Sequence, residues 1–134
     1  MERKKENWHI VGVISATVAQ QIGMTDKTPV WISDKIVAHI NNRHGREFSN
    51  MKTTVFAFVH RVISSFTDAY QQKDGTVLLA IKGGQKSMCT YIKLEHAEEN
   101  YWRVKSAHIR DNEELVRYKP IWTKNSQAKK PAKK

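Results

Sequence analysis

The chain has 134 residues, 23 Lys and Arg against 13 Asp and Glu, a formal net charge of +10, and a hydrophobic fraction of 40% that includes four Trp, four Tyr and four Phe. That length buries one core and does not build two, and the apolar and aromatic content belongs to a folded body. Cys89 stands alone, which excludes an intramolecular disulfide or a cysteine-based metal cluster within one chain. No stretch approaches the ~18 to 20 apolar residues of a membrane helix and no signal-peptide core is present; the expectation is a cytoplasmic protein, or one delivered into a target cell's cytoplasm, with no membrane partner.

Along the chain, Val11 to Ser15 predicts a short strand leading into a helix from Ala16 to Gly23. Thr28 to Ile32 reads as extended, because Pro29 disfavours helix in the residue before it and β-branched or aromatic residues follow. Ser33 stands where an N-cap belongs and Asp34 complements the helix dipole, so a helix is expected from Asp34 to His44, closed by Gly45. A second, more apolar helix is expected over 51–65, with Val55, Phe56, Phe58, Val59, Val62, Ile63 and Phe66 in its stripe.

After Phe66 the period changes to two. Residues 69–72, 76–82, 86–95 and 101–108, separated by turn signals at Lys73-Asp74-Gly75, Gly83-Gly84 and Glu99-Asn100, read as consecutive antiparallel strands. Arg110 to Leu115 reads as a turn or a single helical turn and 116–122 as a last edge strand carrying Pro120. The expected fold is therefore α+β, with N-terminal helices packed on one face of a four- to five-stranded antiparallel meander. Residues 1–29 form an N-terminal extension, 30–123 the domain, and 124–134 a disordered basic tail holding five lysines and no acid. Without that tail and the charged start, the body keeps 15 basic and 11 acidic residues, about +4.

Strand alternation separates two faces. Val77, Leu79, Ile81, Met88, Ile92, Leu94, Trp102, Val104 and Ser106 fall on a core face. Tyr91, Lys93, Tyr101, Arg103 and Lys105, with Lys82 at a strand end, fall on the other, where cations can hold phosphates and rings can stack on bases.

The segment Ala38-His39-Ile40-Asn41-Asn42-Arg43-His44-Gly45 gathers two histidines and an arginine. Histidines five apart on a helix stand about 140° apart around its axis, whereas a helical chelate needs i and i+4, so no metal is expected. Phosphate-loop and nucleophile-elbow motifs are absent, and no cofactor is implied. Acid–base cleavage of RNA makes modest demands: the nucleophile is the substrate's own 2′-hydroxyl, and the protein supplies a base, an acid and cations. On that reading His44, near a helix C-terminus, is the acid and His39 the base, with Lys93 and Arg103 as further catalytic groups and Arg43, Lys82, Tyr91 and Lys105 binding substrate.

The Ile32-Ser33 helix start, His39, the Arg43-His44-Gly45 triplet, the apolar helix after it, and strands containing Tyr91-Ile92-Lys93 and Tyr101-Trp102-Arg103-Val104 resemble the phage-associated members of the barnase, EndoU, colicin and RelE-like ribonuclease superfamily, across 30–122. The resemblance implies two helices on a four-stranded antiparallel sheet, metal-free endoribonuclease activity yielding a cyclic phosphate, and use as a toxin or mobile-element effector. Only His39 and His44 carry over by motif; Lys93, Arg103, Tyr91 and Lys82 are chosen by strand phase. RNA, possibly transfer RNA, and an acidic inhibitor or immunity protein are the partners expected of such a nuclease. The competing reading is a non-catalytic nucleic-acid-binding module that uses the same basic aromatic face.

Overall fold

The computed structural model describes residues 7–21, 28–95 and 101–124. In chain order its elements are β1 (Trp8–Ile14), α1 (Ala16–Gln21), β2 (Thr28–Ser33), α2 (Asp34–Asn50), α3 (Val55–Ser65), β3 (Asp68–Gln71), a 3-10 turn (Lys73–Gly75), β4 (Thr76–Lys82), β5 (Lys86–Glu95), β6 (Tyr101–Asp111), α4 (Asn112–Leu115) and β7 (Lys119–Thr123). The tail from 125 to 134 and the turn at 96–100 lie outside the described residues.

The strands form one seven-stranded sheet in the order β1-β2-β6-β5-β4-β3-β7. This corrects the expected fold class. The first described element is a strand, the sheet is mixed, and β2 runs parallel to β6 with Val30 opposite Trp102 and Trp31 opposite Arg103. Thr28 to Ile32, expected to be extended, belongs to an internal strand, with Val30 and Ile32 fully buried and β1 and β6 on its two sides. Alternation marks a strand but carries no trace of a neighbour some 70 residues away, which is why a local meander was the expected answer. Residues 8–14, within the stretch read as an extension, supply β1.

Helices α2 and α3 lie on one face. Phe48 of α2 and Phe58, Val59 and Val62 of α3 pack with Val30, Ile32, Leu79, Ile92 and Val104 in the main core. Strand β1 approaches α3 closely: a Cβ on Gly12 would stand 2.6 Å from Ile63 Cγ2, so only glycine fits there. The opposite face carries a smaller cluster, Tyr70, Leu78, Ala80 and Cys89, roofed by Leu115 of α4. Beyond that roof the face is open.

Helix α2 starts as expected, with Ser33 Oγ accepting from the Ile36 amide. It does not stop at Gly45. Six further residues follow His44, because the buried Phe48 rewards continuation by more than the ~1 kcal/mol that an interior glycine costs. The helix closes on a Schellman pair, Thr53 N–H to Phe48 O and Lys52 N–H to Ser49 O, with Lys52 at φ +59° in the position glycine usually fills. Lys52→Gly is expected to raise the unfolding free energy by up to about 1 kcal/mol, because it relieves a left-handed non-glycine residue at the cost of a more flexible unfolded chain. Urea denaturation checks this, and a loss of stability would show that the lysine side chain makes a larger contribution.

Candidate functional site

The site begins with a bulge. Tyr91 pairs with Ser106 and Ile92 with Val104, so Lys105 is an extra residue in β6. Before it Trp102 and Val104 face the helices; after it Ala107 and Ile109 do. The phase of β6 reverses there, and Ser106, His108 and Arg110 join Tyr91 on the open face. Ser106 was expected on the core face; the bulge corrects that.

The upper half of β6 also lacks a strand on one side. Its pairing with β2 ends at Trp31–Arg103, and three residues later the chain is already helical. Helix α2 runs beside the vacated edge, and Glu47 Oε1 accepts from the Ile109 amide at 3.0 Å. The other carboxylate oxygen, Oε2, accepts from His44 Nδ1 at 3.0 Å. One side chain thus satisfies an orphan strand amide and orients a histidine.

So held, the His44 ring stacks on His108 with centroids 4.6 Å apart and planes 16° from parallel. His108 stacks in turn on Tyr91 at 5.3 Å and 23°. Arg110 Nη1 donates to the hydroxyls of Tyr91 at 2.7 Å and Tyr118 at 3.0 Å, and its Nε donates to Glu114 Oε1 at 2.8 Å. Burial opposes the guanidinium charge, but these three partners outweigh it and hold the pKa above its ordinary value. The arginine therefore fastens the segment after β6 over the sheet.

Burial lowers the His108 pKa, assisted by the charges of His44 and Arg110 and opposed by a bond to the Ile109 carbonyl. His108 Nδ1 donates to that carbonyl at 3.2 Å, so the neutral ring keeps its lone pair on Nε2. Burial pushes the Tyr91 hydroxyl up to about 12, which keeps it a neutral phenol.

Tyr91 and His108 line a cleft of about 830 Å³, and His44 reaches it only through its stack on His108. Tyr91, Ser106 and His108 form its floor, Arg117, Tyr118 and Lys119 one wall, and Lys105 with the turn from Gln71 to Thr76 the other. Lys73, Lys105, Arg117 and Lys119 face a single acid, Asp74, which accepts from Lys105 Nζ at 3.4 Å and from the Thr76 amide at 3.3 Å. The cleft suits an anion with an aromatic or sugar body.

Of the residues expected to act, His44, Tyr91 and Lys105 come together here. Lys93 and Arg103 sit side by side further down the same face, and Arg103 Nε donates to Glu95 Oε2 at 2.7 Å. Lys82 lies at the far end of β4, past the patch roofed by Leu115. His39 and Arg43 are exposed on α2, and His39 is about 140° around the helix from His44. The dipole argument for His44 also falls, since the residue is inside the helix rather than at its end; its partner is Glu47.

The residues that sequence reasoning missed are His108, Arg110, Glu47 and Tyr118. A signal existed: the apolar positions 102, 104, 107 and 109 change parity between Val104 and Ala107, which is what one inserted residue produces.

Comparison with protein-family models, with curated proteins and with solved structures finds no match to this chain. Among the described residues no three His, Cys, Asp or Glu side chains form a group able to hold a metal ion, and no helix is long and apolar enough to cross a membrane.

Two outcomes check the linkage. Glu47→Ala leaves the Ile109 amide without its acceptor and is expected to cost about 1 kcal/mol or more, whereas Glu47→Gln, which keeps an acceptor oxygen, costs less; urea denaturation separates them. Because the His108 pKa falls on folding, the unfolded chain binds a proton near pH 6.5 that the folded chain refuses. Stability from this source is complete above about pH 6.5 and declines as pH falls toward the lower folded value. The drop in unfolding free energy between pH 7.5 and 5.5 should be smaller in His108→Phe than in the parent, and an equal drop would contradict the assignment.

Proposed function

We propose that the protein is a metal-independent endoribonuclease that cleaves RNA by histidine acid–base transesterification to a 2′,3′-cyclic phosphate. The observation that carries this reading is the His44–His108–Tyr91 stack, of which His108 and Tyr91 line a cation-rich cleft. Two histidines with different environments are what a base and an acid acting together require.

In this mechanism His108 Nε2 takes the proton from the 2′-hydroxyl, whose oxygen attacks the adjacent phosphorus. The bond from phosphorus to the 5′-oxygen breaks, and protonated His44 gives that oxygen its proton from Nε2. Glu47 Oε2, accepting from His44 Nδ1, fixes the ring's orientation for that transfer. Lys105, which lines the cleft, offers positive charge to the phosphorane oxygens. The 2′-hydroxyl already adjoins the phosphorus, so neither an enzyme nucleophile nor an activated water is called for.

The reading rests on the site. The family resemblance adds little to it, because a seven-stranded mixed sheet is not the fold that the resemblance implies. A role as a toxin or mobile-element effector restrained by an acidic inhibitor is compatible with the basic cleft, which such a protein would cover.

The test is cleavage of a defined single-stranded RNA in EDTA, with the product ends identified by mass. A 2′,3′-cyclic phosphate is expected, with kcat lowered by ~10²-fold or more in His108→Ala and in His44→Ala, and within about twofold of the parent in His39→Ala, whose exposed side chain takes no part. Tight RNA binding without cleavage would support a non-catalytic binding module, and cleavage only with an added divalent ion would overturn the histidine mechanism.

A further inference from the structure

Beyond the cleft, the open face carries a second set of groups suited to RNA. In the sheet register Thr76 is opposite Lys93, Lys93 opposite Arg103, and Arg103 opposite Trp31, so one row crosses four adjacent strands. Their chain neighbours Val77, Ile92, Trp102, Val30 and Ile32 belong to the helix-side core, which turns the row to the opposite face. Trp31, Lys93 and Arg103 are each half-buried.

Lys93 and Arg103 are like charges directly across a strand pair, an arrangement that costs stability. Glu95 answers only Arg103, through Nε at 2.7 Å. An anion placed between the two cations would offset the repulsion. The row lies four residues along β5 from Cys89, the partner of His108, or about 13 Å at strand rise. Lys105 stands between them. That is within reach of a short stretch of extended nucleic-acid strand whose reacting phosphate is in the cleft.

We infer that Trp31, Arg103 and Lys93 form a flanking subsite for single-stranded RNA, in which a base stacks on the Trp31 indole and a backbone phosphate bridges Lys93 and Arg103. The inference rests on the reading that the cleft takes RNA. It gives Lys93 and Arg103 a binding role in place of the catalytic one expected from strand phase. It also selects single strands, because an indole can stack only on a base released from its pair.

The test uses 2′-fluoro RNA, which lacks the nucleophile and cannot be cleaved, so binding is read separately from catalysis. A dinucleotide fills only the cleft, whereas an octanucleotide reaches the row. Fluorescence anisotropy on the full chain should show a large affinity advantage of the octanucleotide over the dinucleotide, reduced roughly fivefold or more in Trp31→Leu. Lys93→Ala should reduce that advantage several-fold and shrink the slope of log K against log salt by about 0.7. Lys93→Ala, a truncation at a half-exposed position, carries the test should Trp31→Leu fail to fold. The inference is overturned if Lys93→Ala keeps the parent's octanucleotide advantage and salt slope, if a duplex of the same sequence binds as tightly as the single strand, or if neither probe binds. Absence of cleavage in the EDTA assay, with the octanucleotide advantage intact, would remove the nuclease reading and leave the subsite standing.

Discussion

Strand β6 is longer than the neighbour that pairs with it on one side, and the site follows from how that mismatch is resolved. Past Arg103 the amides on that edge have no strand to bond, and an unpaired amide beside the core is costly. The chain answers by continuing β2 directly into α2 and laying the helix along the edge, where Glu47 receives the Ile109 amide. A carboxylate is a better acceptor here than a neutral group because its second oxygen remains for another donor, and that donor is His44. Edge repair and histidine placement are therefore one event.

The bulge at Lys105 supplies the other half. Without it, His108 and Arg110 would point among the helices, where a guanidinium could not be solvated. With it, they share a face with Tyr91, and Arg110 can tie the segment after β6 down through two phenols and Glu114. Leu115 then seals the smaller apolar cluster, and the remainder of the face stays open as a cleft. Cations outnumber acids along its walls, so the cleft carries a positive field while its histidine floor is kept neutral by burial. The two requirements of phosphate chemistry, attraction of the anion and a base able to accept a proton, are thus met by different groups.

Local chemistry was legible in the sequence and long-range pairing was not. Ser33 and Asp34 mark the start of α2 correctly, and the apolar stripe of α3 is read from its spacing, because caps and periods are properties of a few consecutive residues. Gly45 misled: glycine closes a helix only where nothing further along pays for continuation, and Phe48 does. The parallel contact of β2 with β6 had no local signature at all. For the site, Tyr91 and Lys105 were reachable by strand phase, and His44 by its composition-rich segment. His108 was hidden by one inserted residue, though the parity change of the apolar positions on either side of Lys105 records it. Glu47 lay beyond the point where the helix was expected to end, so its carboxylate was never set beside His44.

The central claim is that His108 and His44 act as a base and an acid on one phosphodiester. It is tested most directly by the pH dependence of single-turnover RNA cleavage in EDTA. Cleavage is expected to fall along an acid limb set by His108, with its midpoint below the ordinary histidine value because burial disfavours the charged ring, and to be lowered ~10²-fold or more across the profile in His44→Ala. A profile without an acid limb, or a His44→Ala variant as fast as the parent, would contradict it.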